Sequence, residues 1–94
     1  MTTNNHAFLV RITGRVQGVG YRAWTRHQAL NLGLTGWVRN EPDESVTALI
    51  VGSQTAINSM LDEFWRGPAG SSVSGVEPQV TELGEMPSGF DITR

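Results

Sequence analysis

The sequence predicts an α+β fold in which an antiparallel sheet carries two helices on one face, and three observations support that expectation. Phe8, Val10 and Ile12 alternate with Ala7, Leu9 and Arg11, as a strand with two distinct faces requires. The turn residues Glu41, Pro42, Asp43 and Glu44 separate two further strand-like runs. Ile57, Met60, Leu61 and Phe64 fall at the i, i+3, i+4, i+7 spacing of an amphipathic helix.

Taken in order, Ala7 to Ile12 is the first strand, and a glycine-rich loop follows it. Tyr21 to about Leu32 suits a helix, with Trp24, Gln28 and Ala29 within helical reach of one another and Gly33 placed as a C-terminal cap. Leu34 to Asn40 reads as a second strand, with Leu34, Gly36, Val38 and Asn40 on one side and Thr35, Trp37 and Arg39 on the other. Ser45 to Val51 is rich in β-branched residues, and the short connection makes it the hairpin partner of the second strand. The second helix spans Ser53 to Arg66, with Ser53 as its N-cap. Gly67 to Gly75 is expected to be a loop, and Val76 to Leu83 with Phe90 to Ile92 supply the last strand material. The order β-α-β-β-α-β is the ferredoxin-like arrangement, which hosts many functions.

A chain of 94 residues can bury one modest core, so residues 6–94 are read as a single domain behind a flexible N-terminus, residues 1–5. No apolar run approaches the roughly 18 residues of a membrane span. The polar N-terminus MTTNNH resembles neither a secretory signal nor a transit peptide, which points to a soluble, cytoplasmic protein with no membrane partner. The absence of cysteine removes disulfides, thiolate nucleophiles and cysteine-ligated zinc. A net charge of -2 argues against a nucleic-acid partner. All seven basic residues are Arg, so Schiff-base chemistry and a P-loop lysine are excluded, and any bound anion must be held by guanidinium or backbone.

The segment GRVQGVGYR, Gly14 to Arg22, joins the first strand to the first helix. Its glycines allow several N–H groups to turn inward as a nest, and the adjoining helix N-terminus adds the positive end of its dipole. A phosphate could be bound there with Arg22 supplying the full charge. Gly18, Gly20 and Ala23 also match the G-x-G-x-x-G/A dinucleotide fingerprint, but the hairpin and the short chain lack the parallel βαβ units that fingerprint needs. The residues alone leave two readings open: an anion cradle, or a plain turn with Arg22 solvated.

Further along, GWVRN (Gly36 to Asn40), Val46, Gly52, Gly67-Pro68 and Phe90-Asp91-Ile92 follow IxGRVQGVGYR (Ile12 to Arg22) in order. Together these resemble the acylphosphatase family over almost the whole chain. That resemblance implies a ferredoxin-like domain hydrolysing acyl phosphates to a carboxylate and inorganic phosphate, no cofactor or metal, and two catalytic residues at Arg22 and Asn40. Departures occur where the family commonly has Phe or Met and this chain has Tyr21, and where it commonly has a turn glycine and this chain has Glu44. Tyr21 is expected to keep the aromatic body and to reach water with its hydroxyl. A positive φ at Glu44 would cost of order 1 kcal/mol. The stretch AGSS after Pro68 is expected to be a mobile loop.

The departing carboxylate of an acyl phosphate comes from an acid of pKa about 4 and needs no general acid. Holding the phosphoryl group and aligning water therefore carry the catalysis. On the resemblance, the backbone amides of Arg15, Val16, Gln17, Gly18, Val19 and Gly20 bind phosphoryl oxygens with the Arg22 guanidinium, and Asn40 orients the water. Inorganic phosphate is then product and competitive inhibitor. Read without the resemblance, Asn40 is a turn-forming residue before the Glu41-Pro42 corner.

His6 and His27 are expected at the surface, since neither belongs to a cluster that could complete a metal site. Glu41, Asp43 and Glu44 lack the rest of a calcium loop and read as a solvated turn. Trp24, Trp37 and Trp65 are read as packing residues. An RNA-binding domain shares the element order, but the third strand, SVTALIV, offers no aromatic for base stacking. A non-catalytic anion-binding module is the other rival, as is the acylphosphatase-like domain at the front of carbamoyl-transferring maturation proteins; the end at Arg94 favours a free-standing protein, and a small domain without Cys is expected to be a monomer.

Overall fold

The computed structural model describes residues 5–82, 84 and 87–93. Among them the elements run β1 (His6–Arg15), α1 (Tyr21–Asn31), β2 (Thr35–Asn40), β3 (Val46–Gly52), α2 (Gln54–Arg66), β4 (Ser72–Val80) and β5 (Phe90–Ile92). One sheet has the strand order β4-β1-β3-β2-β5. β1 pairs antiparallel with β3 and β4, and β2 antiparallel with β3. The expected α+β, ferredoxin-like architecture is present, with one addition: β5 runs parallel to β2, pairing Val38 with Ile92. Of the N-terminal segment 1–5 only Asn5 is described, and Leu83 lies outside the described residues.

Alternation decides which face of the sheet is covered. Val10 and Ile12 of β1, Val38 of β2 and Val46, Ala48 and Ile50 of β3 are buried together against Tyr21 and Ala29 of α1 and Ile57, Met60 and Phe64 of α2. Each of the Val, Ile, Met and Phe side chains contributes roughly 1.5–3 kcal/mol on burial, so this single cluster is the main stabilising feature. Along α1, Tyr21, Thr25 and Ala29 recur every four residues as the buried stripe. Ser53 caps α2 as expected, its hydroxyl accepting from the Ala56 N–H at 3.1 Å.

The expected boundary of the last long strand needs correction. β4 begins at Ser72, not Val76, because β1 itself continues to Arg15 and pairs Gly14 with Val73 and Arg15 with Ser72. The register shifts between Thr13 and Gly14, and a Cβ at Gly14 would lie 2.2 Å from the Ser72 carbonyl oxygen. Gly14 is therefore a strand residue at a bulge, required by close backbone approach. Gly and Ser composition suggested a loop from Gly67 onward, yet strand pairing here is a backbone property that β1 imposes. Of the AGSS stretch, Ala69 and Gly70 lie in a turn, the Ser71 N–H and hydroxyl both donate to the Pro68 carbonyl, and Ser72 opens β4.

Register also explains what meets at one end of the sheet. Ile12 pairs with Val46, and Val46 pairs with Asn40 on its other side. Asn40 thus lies in the same row as the residue from which β1 runs toward the glycine-rich loop. Parallel pairing brings the C-terminal end of β5 to that same edge, and the Arg26 guanidinium ties α1 to the start of β5 by donating to the Phe90 carbonyl at 2.8 Å.

Candidate active site

After β1 the chain turns through Val16–Gly20 into α1. Val16 is buried and anchors the loop from below, while Gly18 and Gly20 adopt φ of 74° and 78°, the left-handed region that lets successive amides converge. Gly20 is the N-cap of α1; no side chain caps it and the first turn holds no acidic residue. Its carbonyl accepts from the Trp24 N–H at 3.0 Å, starting the helix. A helix N-terminus of this kind suits an anionic acceptor, reinforced by the helix dipole.

A cavity of about 220 Å³ opens over this junction. Val16, Gln17, Gly18, Gly20 and Arg22 line one side, and Asn40 from the end of β2 lines the other. Six of the eight residues singled out from the sequence therefore share one cavity. Arg15 and Val19 do not line it: Arg15 is exposed at the end of β1, and Val19 packs partly buried against the core. A broader depression of about 630 Å³, lined by Arg39, Asn40, Glu41 and Pro42, adjoins it through Asn40.

Asn40 carries the most unusual polar atom of the site. Its Oδ1 is buried and has no hydrogen-bond partner among the described residues. Leaving such an acceptor unmade costs about 1–3 kcal/mol, a condition that calls for a functional reason. The Thr25 hydroxyl on α1 shares the condition but is fully buried within the core.

The turn after Asn40 is closely held. The Glu44 N–H donates to the Glu41 carbonyl, and the Glu41 N–H to Ser45. Asp43 accepts from both the N–H and the hydroxyl of Ser45 and pairs with Arg11 at 2.6 Å. Those hydrogen bonds, that of Ser45 first, hold the Asp43 carboxyl well below its usual range. Arg39 pairs with Glu41 at 2.9 Å and lies over the Trp37 ring at 4.7 Å. Glu44 has φ of 76°, a left-handed value that costs a non-glycine residue of order 1 kcal/mol. From the loop side, the Gln17 side-chain amide donates to the carbonyls of Glu41 and Ser45 at 2.9 and 2.8 Å.

Tyr21 also lines the cavity, but not as expected. Its ring is buried between Trp24 and Phe64, and its hydroxyl donates to the Phe64 carbonyl at 2.7 Å instead of reaching water. That carbonyl belongs to the last turn of α2, so Tyr21 satisfies a helix-end acceptor. Burial pushes the hydroxyl pKa up.

Ala23 and Ile92 complete the lining, and sequence reasoning did not single them out as site residues. Ile92 arrives through the parallel β2–β5 pair, a long-range pairing for which the three-residue strand carries no local signal. His6 and His27 are exposed, and no group of three or more His, Asp or Glu that could hold a metal occurs among the described residues.

Comparison with known proteins gives concordant matches. The family model for acylphosphatases matches residues 8–92. An acylphosphatase of Rhizobium etli is 60% identical over 93 residues, covering 99% of each chain. The structure of an acylphosphatase from Coxiella burnetii superposes with a TM-score of 0.91 at 31% identity, over 96% of this chain and 94% of that one. Full-length HypF in a phosphate- and nucleotide-bound form shares the fold, with a TM-score of 0.88 at 23% identity over 100% of this chain and 12% of HypF.

Proposed function

The chain belongs to the acylphosphatase family, hydrolases acting on acyl phosphates, and on that premise we propose that Arg22 and Asn40 are its catalytic pair. Arg22, with the amides of the loop from Arg15 to Gly20, holds the phosphoryl group. Asn40 orients the water. The observation that carries this reading is the buried Oδ1 of Asn40, without a partner among the described residues, on a residue that lines one cavity with Arg22 and the N-terminus of α1.

The chemistry follows from what each group can do. Phosphoryl oxygens accept from the inward amides and from the planar guanidinium, which can make two parallel charge-assisted bonds. The developing charge meets donors that are already in place, so little reorganisation is needed. Asn40 Oδ1 accepts one O–H of the water and so directs the water's lone pair at phosphorus. The new O–P bond forms as the bond from phosphorus to the carboxyl oxygen breaks, and the carboxylate leaves with that electron pair. An amide is a poor base, so the water's second proton passes to a phosphoryl oxygen of the substrate. The products are a carboxylate and inorganic phosphate, the latter able to occupy the same cradle as a competitive inhibitor.

Benzoyl phosphate hydrolysis tests the assignment. Asn40→Ala is expected to lower kcat at least tenfold while the inhibition constant of phosphate changes less than threefold, because ordering water matters on the way to the transition state and not in binding. Equal losses in both quantities would show Asn40 to be a phosphate ligand instead. A monomer in the cytoplasm completes the proposal; size-exclusion chromatography of the purified chain checks the first.

A further inference from the structure

We propose that Gln17 is a positioning residue for this hydrolysis, its side-chain amide locking the phosphate loop to the turn that sets Asn40 in place. The proposal rests on the catalytic assignment of Arg22 and Asn40 above. Its observation is separate: one nitrogen, Gln17 Nε2, donates at 2.9 Å to the Glu41 carbonyl and at 2.8 Å to the Ser45 carbonyl. Both of its protons are thereby used, and the side chain has no donor left for a phosphate.

Those two acceptors are the carbonyls at the base of the β2–β3 turn. The Ser45 carbonyl also accepts from the Glu41 N–H, and the Glu41 carbonyl from the Glu44 N–H, so Gln17 is wired into the hydrogen bonds that define the turn. Asn40 immediately precedes Glu41. On the other side, the Gln17 backbone is fixed between Val16, which is buried, and Gly18, whose positive φ shapes the cradle. A displacement of the loop is thus transmitted to Asn40 through a single side chain, independently of the sheet.

Residue type matters here. A primary amide puts two donors on one atom, which is what two converging carbonyls require. A carboxylate would set a third acceptor against them. An apolar side chain of the same length would leave two partly buried carbonyls short of a donor. Catalysis that works by alignment is sensitive to such a loss, since misplacement by about 1 Å can cost on the order of a hundredfold in rate.

The test is a double-mutant comparison on benzoyl phosphate hydrolysis with Gln17→Met, which keeps the length and removes the donors. Expected is a tenfold to hundredfold fall in kcat, a phosphate inhibition constant within twofold of wild type, and less than a threefold further fall when Gln17→Met is placed in the Asn40→Ala background. Equal falls in both backgrounds would overturn the proposal, because Gln17 would then act without Asn40. A phosphate constant that rises in step with the kcat loss would also overturn it, by making Gln17 part of the cradle's binding function. Should Gln17→Met not fold, Gln17→Asn retains the amide on a shorter arm that cannot span the gap, and the same pattern is expected. Wild-type kcat in Asn40→Ala would sink the catalytic assignment itself, whereas wild-type kcat in Gln17→Met beside an impaired Asn40→Ala would sink only the role of Gln17.

Discussion

The loop that enters α1 and the strand end that carries Asn40 face one cavity, but they present polarity to it differently. On the loop side the polar groups are mostly main-chain: left-handed Gly18 and Gly20 turn the path, and the uncapped first turn of α1 supplies amides. On the Asn40 side the distinctive group is a single buried side-chain oxygen, without a partner among the described residues, at the end of a strand whose following turn is densely hydrogen-bonded. The first region suits binding a charge spread over several oxygens, because many small dipoles share it. The second suits directing one small neutral molecule, because one acceptor fixes one orientation.

Substitutions should separate these two roles, and Arg22→Ala has the largest expected effect. It removes the full positive charge from the loop side, with a loss of roughly 2.7–4 kcal/mol in transition-state stabilisation, or a hundredfold or more in kcat/KM. Unlike Asn40→Ala, it should also weaken phosphate as an inhibitor. Arg22→Lys sharpens the point: the charge returns without the planar fork, so phosphate binding should recover more than kcat does. Steady-state kinetics with phosphate as competitor checks all three variants, and identical profiles for Arg22→Ala and Asn40→Ala would erase the distinction between the two regions.

A smaller effect is expected where the loop side is supported from beneath. Tyr21→Phe keeps the ring between Trp24 and Phe64 but leaves the Phe64 carbonyl of α2 without the hydroxyl donor. The cost should be about 1–3 kcal/mol of stability, read as a lowered denaturation midpoint, with activity near wild type. A large loss of kcat at unchanged stability would mean that the hydroxyl takes part in the reaction.

These same regions differ in how far the sequence discloses them. Hydrophobic alternation and the Ile57–Met60–Leu61–Phe64 spacing gave the fold because burial on one face leaves a periodic trace. The cradle left its own trace, glycines and an arginine at a strand-to-helix junction, since a backbone site needs residues that permit its φ angles. Asn40 left almost none. A lone Asn before a turn reads as a turn former, and only resemblance to a family marked it out. Gln17's reach to Glu41 and Ser45 and Ile92's place on the rim depend on contacts between distant elements, which no local pattern encodes. The partner of the Tyr21 hydroxyl is hidden from local pattern for the same reason, lying on α2, 43 residues further along the chain.

The smallest expected effect lies in the turn beyond Asn40. Glu44 is the only non-glycine described with a positive φ, at 76°. A side chain held there costs about 1–2 kcal/mol, partly offset by the greater chain entropy that glycine loses on folding, roughly 0.4–1 kcal/mol. Glu44→Gly should therefore stabilise the domain by roughly 0.5–1 kcal/mol, which for a domain of this size is a rise in Tm of about 2–8 °C. Because the Glu41 and Ser45 carbonyls and their hydrogen bonds to Gln17 do not involve the Glu44 side chain, kcat should stay within twofold of wild type. Calorimetry beside kinetics checks both halves. A stabilised enzyme with reduced kcat would mean that the strained turn itself helps to set Asn40, and the Asn40 side would then depend on backbone conformation as much as the loop side does.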